Sequence, residues 1–411
     1  MFYYYELNGA LLASAHEHPE LKETVPDGQA PAYFLADGDP ILGRGSFRAN
    51  HPGQLAAPDG LSVLDASRLP DYPLDDVLTK ALTDGRLTVV NAGRAGWQRM
   101  LCKPVQKKKR VNILAIGDVG STMLIGLKLL GGNVISKIGI CDISEKTTAR
   151  WEFEMGQVSY PWNYDALPDV EIVTPERLFD CDVFVFAASK GIPPVGSQVK
   201  DVRMAQFESN AGLVKMYAKM ARQQGFQGLW AAVSDPVDPL AKTAYLSSNL
   251  NEKGEWDGLG LLPEQVQGYG LGVMNARAAF YAKSDSRFSN FLKDGRSYGP
   301  HGEGLWVANS LSDYDEGLSR ELTELTVTAN LKMRELGFKP YAAPALSSGA
   351  LSLLLTLRGE WHCGSVFLDG IYMGCRNRYT QFGIETELLD SIPDALYAHL
   401  ESAAAGLKAI L

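Results

Sequence analysis

Apolar and polar positions along this chain follow two periods, and the places where the period changes mark its elements. Val111 to Ile116 is a continuous apolar run and reads as a strand buried on both faces. Gly117, Asp118, Val119 and Gly120 follow as a tight turn. From Ser121 to Leu130 the period is helical, with Met123, Leu124, Leu127 and Leu130 on one face. Val134 to Cys141 is the next strand and ends beside Asp142. Glu145 to Gln157 then reads as a helix, Val170 to Val173 as a strand, Pro175 to Phe179 as a short helix and Asp182 to Ala187 as a strand. Met204 to Gln224 reads as a long helix and Gly228 to Val233 as a strand. Strands alternating with helices predict an α/β fold with a doubly wound parallel sheet. Ligands bind such sheets at the carboxyl ends of the strands. The turn at Gly117, the loop after Ala187 and the segment Ser234 to Asp238 are therefore expected to share one crevice.

The pattern differs on either side. Tyr3 to Leu7, Asn8-Gly9 and Ala10 to Leu12 predict a hairpin with an Asn-Gly turn. Residues 19–72 are rich in Pro, Gly and Asp and read as loops with short strands. Leu74 to Thr83 reads as a helix and Leu87 to Asn91 as a strand. Residues 1–106 are thus expected to form a small extra α+β domain of unassigned role, and Lys107 to Arg110 a solvated linker. Residues 111–247 form the predicted parallel-sheet domain and 248–411 a second α+β domain. In that last part 247–262 reads as a loop insertion, and Gly272 to Lys283 and Leu318 to Leu336 read as helices. Trp361 to Met373 reads as strand and hairpin, Gly374 to Arg378 as a loop with two solvated arginines, and Asp390 to Leu411 as a terminal helix.

Composition narrows the class. With 411 residues, 45% hydrophobic and 21% charged, the chain reads as a globular protein of two or three domains. Its net charge of −9 argues against a nucleic-acid partner. No apolar run approaches the ~18 residues of a membrane span, and the N-terminus lacks the basic region of a signal peptide. Cys102, Cys141, Cys181, Cys363 and Cys375 are scattered without CxxC spacing, which favours reduced thiols and a cytoplasmic setting over a disulfide frame or zinc site. His16 and His18 lack partner ligands and read as surface residues, so no metal is expected.

The stretch from Val111 to Asp142 carries the cofactor chemistry. Turn glycines let a backbone approach a pyrophosphate, and the helix N-terminus offers it free N–H groups. An acid after the second strand accepts hydrogen bonds from ribose hydroxyls and repels a 2′-phosphate, which favours NAD over NADP. The first glycine position of the fingerprint is Ala115, giving A-x-G-x-x-G.

Further motifs extend the pattern: the loop Ala187 to Gly196 (AASKGIPPVG), then Arg203 and Asn210, then SDPVD at 234–238, GYGLGVMNAR at 268–277 and YGPHGEG at 298–304. In order and spacing these resemble the lactate and malate dehydrogenase superfamily over about residues 111–390. The resemblance implies a Rossmann domain, NAD as cofactor, a small 2-hydroxy or 2-oxo acid as substrate, and a homo-oligomer, dimer or tetramer. It assigns cofactor contacts to Gly117, Asp118, Val119, Gly120, Asp142, Ala187, Ala188, Asn210 and Ser234. It makes His301 the acid/base, Arg277 the clamp on the substrate carboxylate and Arg203 the group that polarises the substrate carbonyl. These roles suit the reaction. Histidine titrates near neutrality, arginine orients a carboxylate bidentately, and a donor at the carbonyl oxygen stabilises developing charge. The specificity position falls on Pro194 or Val195. No arginine or lysine stands between Gly191 and Lys200, so a second substrate carboxylate, as in malate, is not expected.

Two positions depart from the family pattern. The aspartate that orients the histidine is Met274 here, and an asparagine that binds the substrate oxygen is Asp235. An ionised aspartate accepts hydrogen bonds and cannot donate them. Three readings follow: Asp235 serves as the carboxylate partner of His301, the substrate is an imine- or amino-bearing acid, or the chain is a catalytically degraded NAD-binding regulatory protein.

Overall fold

The computed structural model describes residues 2–26, 32–101, 108–190 and 202–410, without the side chains of 202–205. Its first unit is a six-stranded sheet. β1 (Tyr3–Leu7) and β2 (Ala10–Ser14) form the expected hairpin. Asn8 and Gly9 at its tip both take positive φ, 52° and 77°, the conformation that matches the twist of a two-residue hairpin. β3 (Lys22–Glu23), β4 (Ala32–Ala36) and β5 (Ser46–Arg48) follow, then the short α1 (Gly53–Ala56), α2 (Asp76–Thr83) and β6 (Leu87–Asn91). The strand order is β3-β1-β2-β4-β6-β5, with β2, β4 and β6 parallel. β4 and β5 lie in the stretch that reads as loops with short strands. β4 is buried at every position, so it shows none of the alternation that marks a half-exposed strand.

The second sheet has nine strands. β7 (Lys109–Leu114), α3 (Asp118–Leu130), β8 (Ile135–Cys141), α4 (Glu145–Gly156) and β9 (Asp169–Ile172) make its first half. β10 (Val183–Phe186), α5 (Val202–Gln223), β11 (Leu229–Ala232), α6 (Val237–Ser248) and β12 (Val266–Gly268) make the second. These six strands are parallel in the order β9-β8-β7-β10-β11-β12. The order reverses between β7 and β10, which opens a crevice at their carboxyl ends. Val111 and Ile113 pack on one face against Met123, Leu124 and Leu127 of α3. Phe184, Phe186 and Trp230 pack on the other against α5 and α6. Burying each such side chain stabilises the sheet by roughly 1.5–3 kcal/mol.

Two charged segments depart from expectation. Lys109 and Arg110 begin β7, where Arg110 pairs with Glu171, so this end of the basic run is strand and not linker. Helix α6 is absent from the hydrophobic pattern for a physical reason. All its residues but Leu246 are buried, so no polar face marks its period.

The C-terminal half adds α7 (Leu271–Ser284), α8 (Phe291–Asp294), the ribbon β13 (Arg296–Tyr298) and β14 (Trp306–Ala308), and α9 (Glu316–Glu335). A π-helical turn at Pro344–Leu351 leads into α10 (Ser352–Arg358). β15 (His362–Leu368), β16 (Ile371–Thr380) and β17 (Gly383–Thr386) extend the parallel sheet beyond β12 as antiparallel strands, and α11 (Asp394–Lys408) closes the chain. The sheet thus runs past residue 247 and takes strands from both sides of it. Gly374 to Arg378 is not a loop but the middle of β16. Arg376 pairs with Glu387 and Arg378 with Glu385 on the neighbouring chain segment, so both guanidiniums are neutralised across the sheet edge. No helix among the described residues is long and apolar enough to cross a membrane.

Candidate active site

The crevice is built from four turns. After β7 the chain bends sharply, and Ala115 takes φ 72°, a left-handed conformation that costs a residue with a Cβ about 1–2 kcal/mol. This is the fingerprint position that carries glycine in the resembling family. Gly117 caps α3, and no side chain bonds the free N–H groups there. A Cβ at Gly117 would meet nothing within 4 Å, whereas one at Gly120 would collide with the Ala115 carbonyl. Gly120 therefore permits close helix–strand packing, and Gly117 leaves space open over an uncapped helix N-terminus. By contrast α4 is capped by the Ser144 side chain. Asp142 accepts from Ile116 N at 2.8 Å and Ser144 N at 2.9 Å. A carboxylate has about four acceptor sites, so two remain for ribose hydroxyls. These features fit a dinucleotide. Asp118 pairs with Lys339 at 2.9 Å, which offsets an acid at the uncapped α3 N-terminus and ties the loop after α9 to α3.

The second and third turns are fastened to each other. Ser234 Oγ donates to the Ala188 carbonyl at 2.7 Å. The Asn210 amide donates to the Asp235 carbonyl at 2.8 Å and accepts from Lys190 N at 3.0 Å. Asn210 is fully buried, and its side chain is spent on positioning these loops. Ala187 lies against this turn, its Cβ 3.8 Å from the position of a Cβ on Gly120, and Val119 falls in the first turn of α3. Pro194 and Val195 lie outside the described residues. Arg203 falls in the first turn of α5, with its side chain outside them.

The fourth turn meets the ribbon β13–β14, whose loop holds His301. Gly299, Gly302 and Gly304 take φ 91°, 144° and 87° around it, and only glycine adopts such a run without strain. A Cβ at Gly270 would come within 2.7 Å of His301 Cβ, so that glycine admits the imidazole. His301 Nδ1 lies 3.0 Å from the Gly270 carbonyl oxygen, which also accepts from Ser348 Oγ at 2.7 Å. An acceptor at Nδ1 holds the proton there and leaves Nε2 facing the crevice. Asp235 Oδ1 stands 3.9 Å from that Nε2. The carboxylate expected at Nδ1 is thus replaced by a backbone carbonyl, and Asp235 approaches Nε2 instead.

Arg277 lies two turns along α7, half-buried, with Nη1 3.5 Å from Met274 Sδ. Burial pulls its guanidinium below its ordinary value, opposed by the charges of Tyr281 and Asp235. Among the described residues no carboxylate forms an ion pair with it.

A further group escapes the sequence reading. Asp238, in the first turn of α6, is buried; it accepts from His301 N at 3.3 Å and from Ser365 Oγ. Burial pushes its carboxyl up to about 6, against the hydrogen bonds from Ser365 and His301. Its signal was its spacing one helical step from Asp235, ahead of an apolar stretch.

The six-strand parallel order, the crevice at its reversal and the histidine ribbon decide the fold. It is that of the lactate and malate dehydrogenase superfamily. The minor L-lactate dehydrogenase of Enterococcus mundtii superposes with a TM-score of 0.58 at 17% identity, over 74% of this chain and 97% of that one. The malate dehydrogenase of Archaeoglobus fulgidus in complex with NADH gives 0.57 at 18%, over 74% and 98%. In sequence, the L-lactate dehydrogenase of Treponema denticola is 24% identical over 207 residues, which is 50% of this chain and 59% of that protein. No protein-family model matches the chain. The lactate and malate dehydrogenase neighbours cover about three-quarters of this chain, against a domain expected at 1–106 beyond the resemblance.

Proposed function

We propose that this chain is an NAD-dependent oxidoreductase acting on a small 2-hydroxy or 2-oxo acid with one carboxylate, lactate-like and not malate-like. The observation that carries the reading is Arg277, a half-buried guanidinium without an anion among the described residues, in electrostatic reach of the Asp235 that stands beside His301. An unpaired arginine in such a place is costly and calls for a carboxylate. NAD, when bound, supplies the hydride acceptor or donor. Gly117 and the α3 N-terminus would hold its pyrophosphate and Asp142 its ribose. His301 Nε2 takes the hydroxyl proton on oxidation and returns it on reduction, with Nδ1 anchored on the Gly270 carbonyl. Arg277 orients the substrate carboxylate, and Arg203 polarises the carbonyl. Assembly as a homo-oligomer belongs to the same reading and rests on the resemblance alone.

The test is a panel of 2-oxo acids with NADH, followed by absorbance, on the wild type and His301→Ala. Turnover of a pyruvate-like acid that disappears in the variant supports the proposal. NADH binding with no turnover on any member overturns it in favour of a regulatory protein.

Asp235 favours a second reading. Its carboxylate beside Nε2 is half-exposed to the crevice and suits a substrate with an amino or imino nitrogen. Turnover that requires added ammonia or an amine would select this reading over the first.

A further inference from the structure

A cavity of 610 Å³ lies away from the crevice, at the carboxyl ends of β4 and β6, between the N-terminal sheet and the body of the molecule. Its wall combines the loop after β4, Pro58 to Gly60, the β15–β16 hairpin turn, and Lys242 of α6 and Lys408 of α11. Its size is that of a metabolite pocket, about 300–1,000 Å³.

The loops are set. The Asn91 amide donates to the Asp39 carbonyl at 3.0 Å. A Cβ at Gly38 would come within 2.7 Å of the same amide, and at Gly43 within 2.9 Å, so these glycines let the loop close on Asn91.

The charges in the wall are unequal in what they have left to bind. Asp39 is spent on the N–H groups of Ile41 and Leu42. Asp59 accepts from the N–H groups of Arg44, Gly60 and Asp369. Asp369 pairs with Lys408. Arg44 is different. It is 8% exposed, its guanidinium lies 3.4 Å over the Phe47 ring, and Nε and Nη2 both donate to the Pro58 carbonyl. A ring and a carbonyl orient a cation without neutralising it. Among the described residues no carboxylate forms an ion pair with this guanidinium. Burial accordingly draws Arg44 down to about 10, only partly offset by Asp59. Lys242 is drawn down by burial and by the charge of Lys408. Arg44 is thus the cation in this wall that a ligand can still meet, and the rest of the wall includes Leu42, Phe47 and Val89.

We propose that this cavity is a second ligand site, for a small organic anion whose acid group meets Arg44 and whose apolar body lies against Leu42, Phe47 and Val89. A carboxylate and a phosphate monoester share this chemistry.

Isothermal titration calorimetry on the full chain tests it, with hexanoate and phenyl phosphate as probes. At least one is expected to bind with Kd below about 1 mM, and the preferred probe tells carboxylate from phosphate. Arg44→Met is expected to weaken binding at least about tenfold, as loss of one charge-assisted contact does. Lys408→Met, on a half-exposed site of α11, keeps the fold and is expected to weaken it about threefold; it decides the matter if Arg44→Met does not fold. Arg277→Met is expected to leave binding unchanged. No heat with either probe, binding that persists in Arg44→Met and Lys408→Met, or loss in Arg277→Met would each overturn the proposal. The outcome is independent of whether the crevice turns over a 2-oxo acid.

Discussion

The chain has two parallel-stranded sheets, and each opens a cleft at the carboxyl ends of its strands. The crevice at β7 and β10 and the cavity at β4 and β6 share that architecture, glycine-set loops and an arginine that no carboxylate pairs among the described residues. They differ in what surrounds the arginine. The crevice of Arg277 also holds an imidazole with one nitrogen anchored and the other beside Asp235, and along its wall an uncapped helix N-terminus and an acid with acceptor sites to spare. Near Arg44 stand a ring and a carbonyl. The strand ends open a cleft in both, and the first holds an imidazole whose second nitrogen is turned to the crevice. Architecture locates a ligand, whereas the side chains on the turns decide whether it reacts.

The sharpest way to break this contrast is at His301. His301→Ala is expected to lower kcat by about 10²–10⁴-fold, the range for a general acid/base, with NADH affinity unchanged by fluorescence titration. Equal turnover in the variant would make the two clefts alike in kind. Arg277→Met comes next. Losing a bidentate carboxylate contact is expected to cost about 4 kcal/mol, roughly 10³-fold in kcat/KM, measured by initial rates with the active 2-oxo acid.

Asp238 sharpens the contrast through pH. Its folded carboxyl titrates at about 6, above its ordinary value of 3.8. The folded state therefore holds the proton longer than the unfolded chain. Stability falls by roughly 3 kcal/mol as pH rises from about 4 to about 6 and is level above that. In Asp238→Asn the urea midpoint should lose this slope; an unchanged slope would place its origin elsewhere. Asp235→Asn restores an amide donor beside Nε2. It is expected to raise turnover of a plain 2-oxo acid about tenfold, as one added hydrogen bond of about 1.4 kcal/mol would, and to lower turnover of an amine-bearing one. The smallest effect is at the turn after β7. Ala115→Gly relieves the left-handed backbone at φ 72° and is expected to stabilise the chain by about 0.5–1 kcal/mol in chemical denaturation.

Much of the crevice was legible because it is local. Val111, Gly117, Gly120 and Asp142 fall within one strand–turn–helix–strand unit, and each letter implies its own backbone need. His301 and Arg277 were reachable through motif order. What escaped was non-local. The partner of His301 Nδ1 is a backbone carbonyl, and a carbonyl has no letter in the sequence. Arg376 and Arg378 read as solvated because Glu385 and Glu387 face them only once β16 and β17 are paired. Helix α6 was hidden by being buried on every side. The Arg44 cavity is bounded by segments from 36 to 408, which no window along the chain brings together.

That buried helix has a consequence for how separable the parts of this protein are. One turn of α6 carries Asp238, held against the His301 loop, and the next carries Lys242 in the wall of the N-terminal cavity. Further along, the Tyr245 hydroxyl donates to the Ile41 carbonyl and meets Arg94. Four residues apart, Asp238 and Lys242 lie on one side of the helix. The N-terminal sheet is thus not a detachable passenger beside a dehydrogenase fold. It supplies part of the cladding of the rod that sets the histidine, and cutting it away would leave that rod half bare.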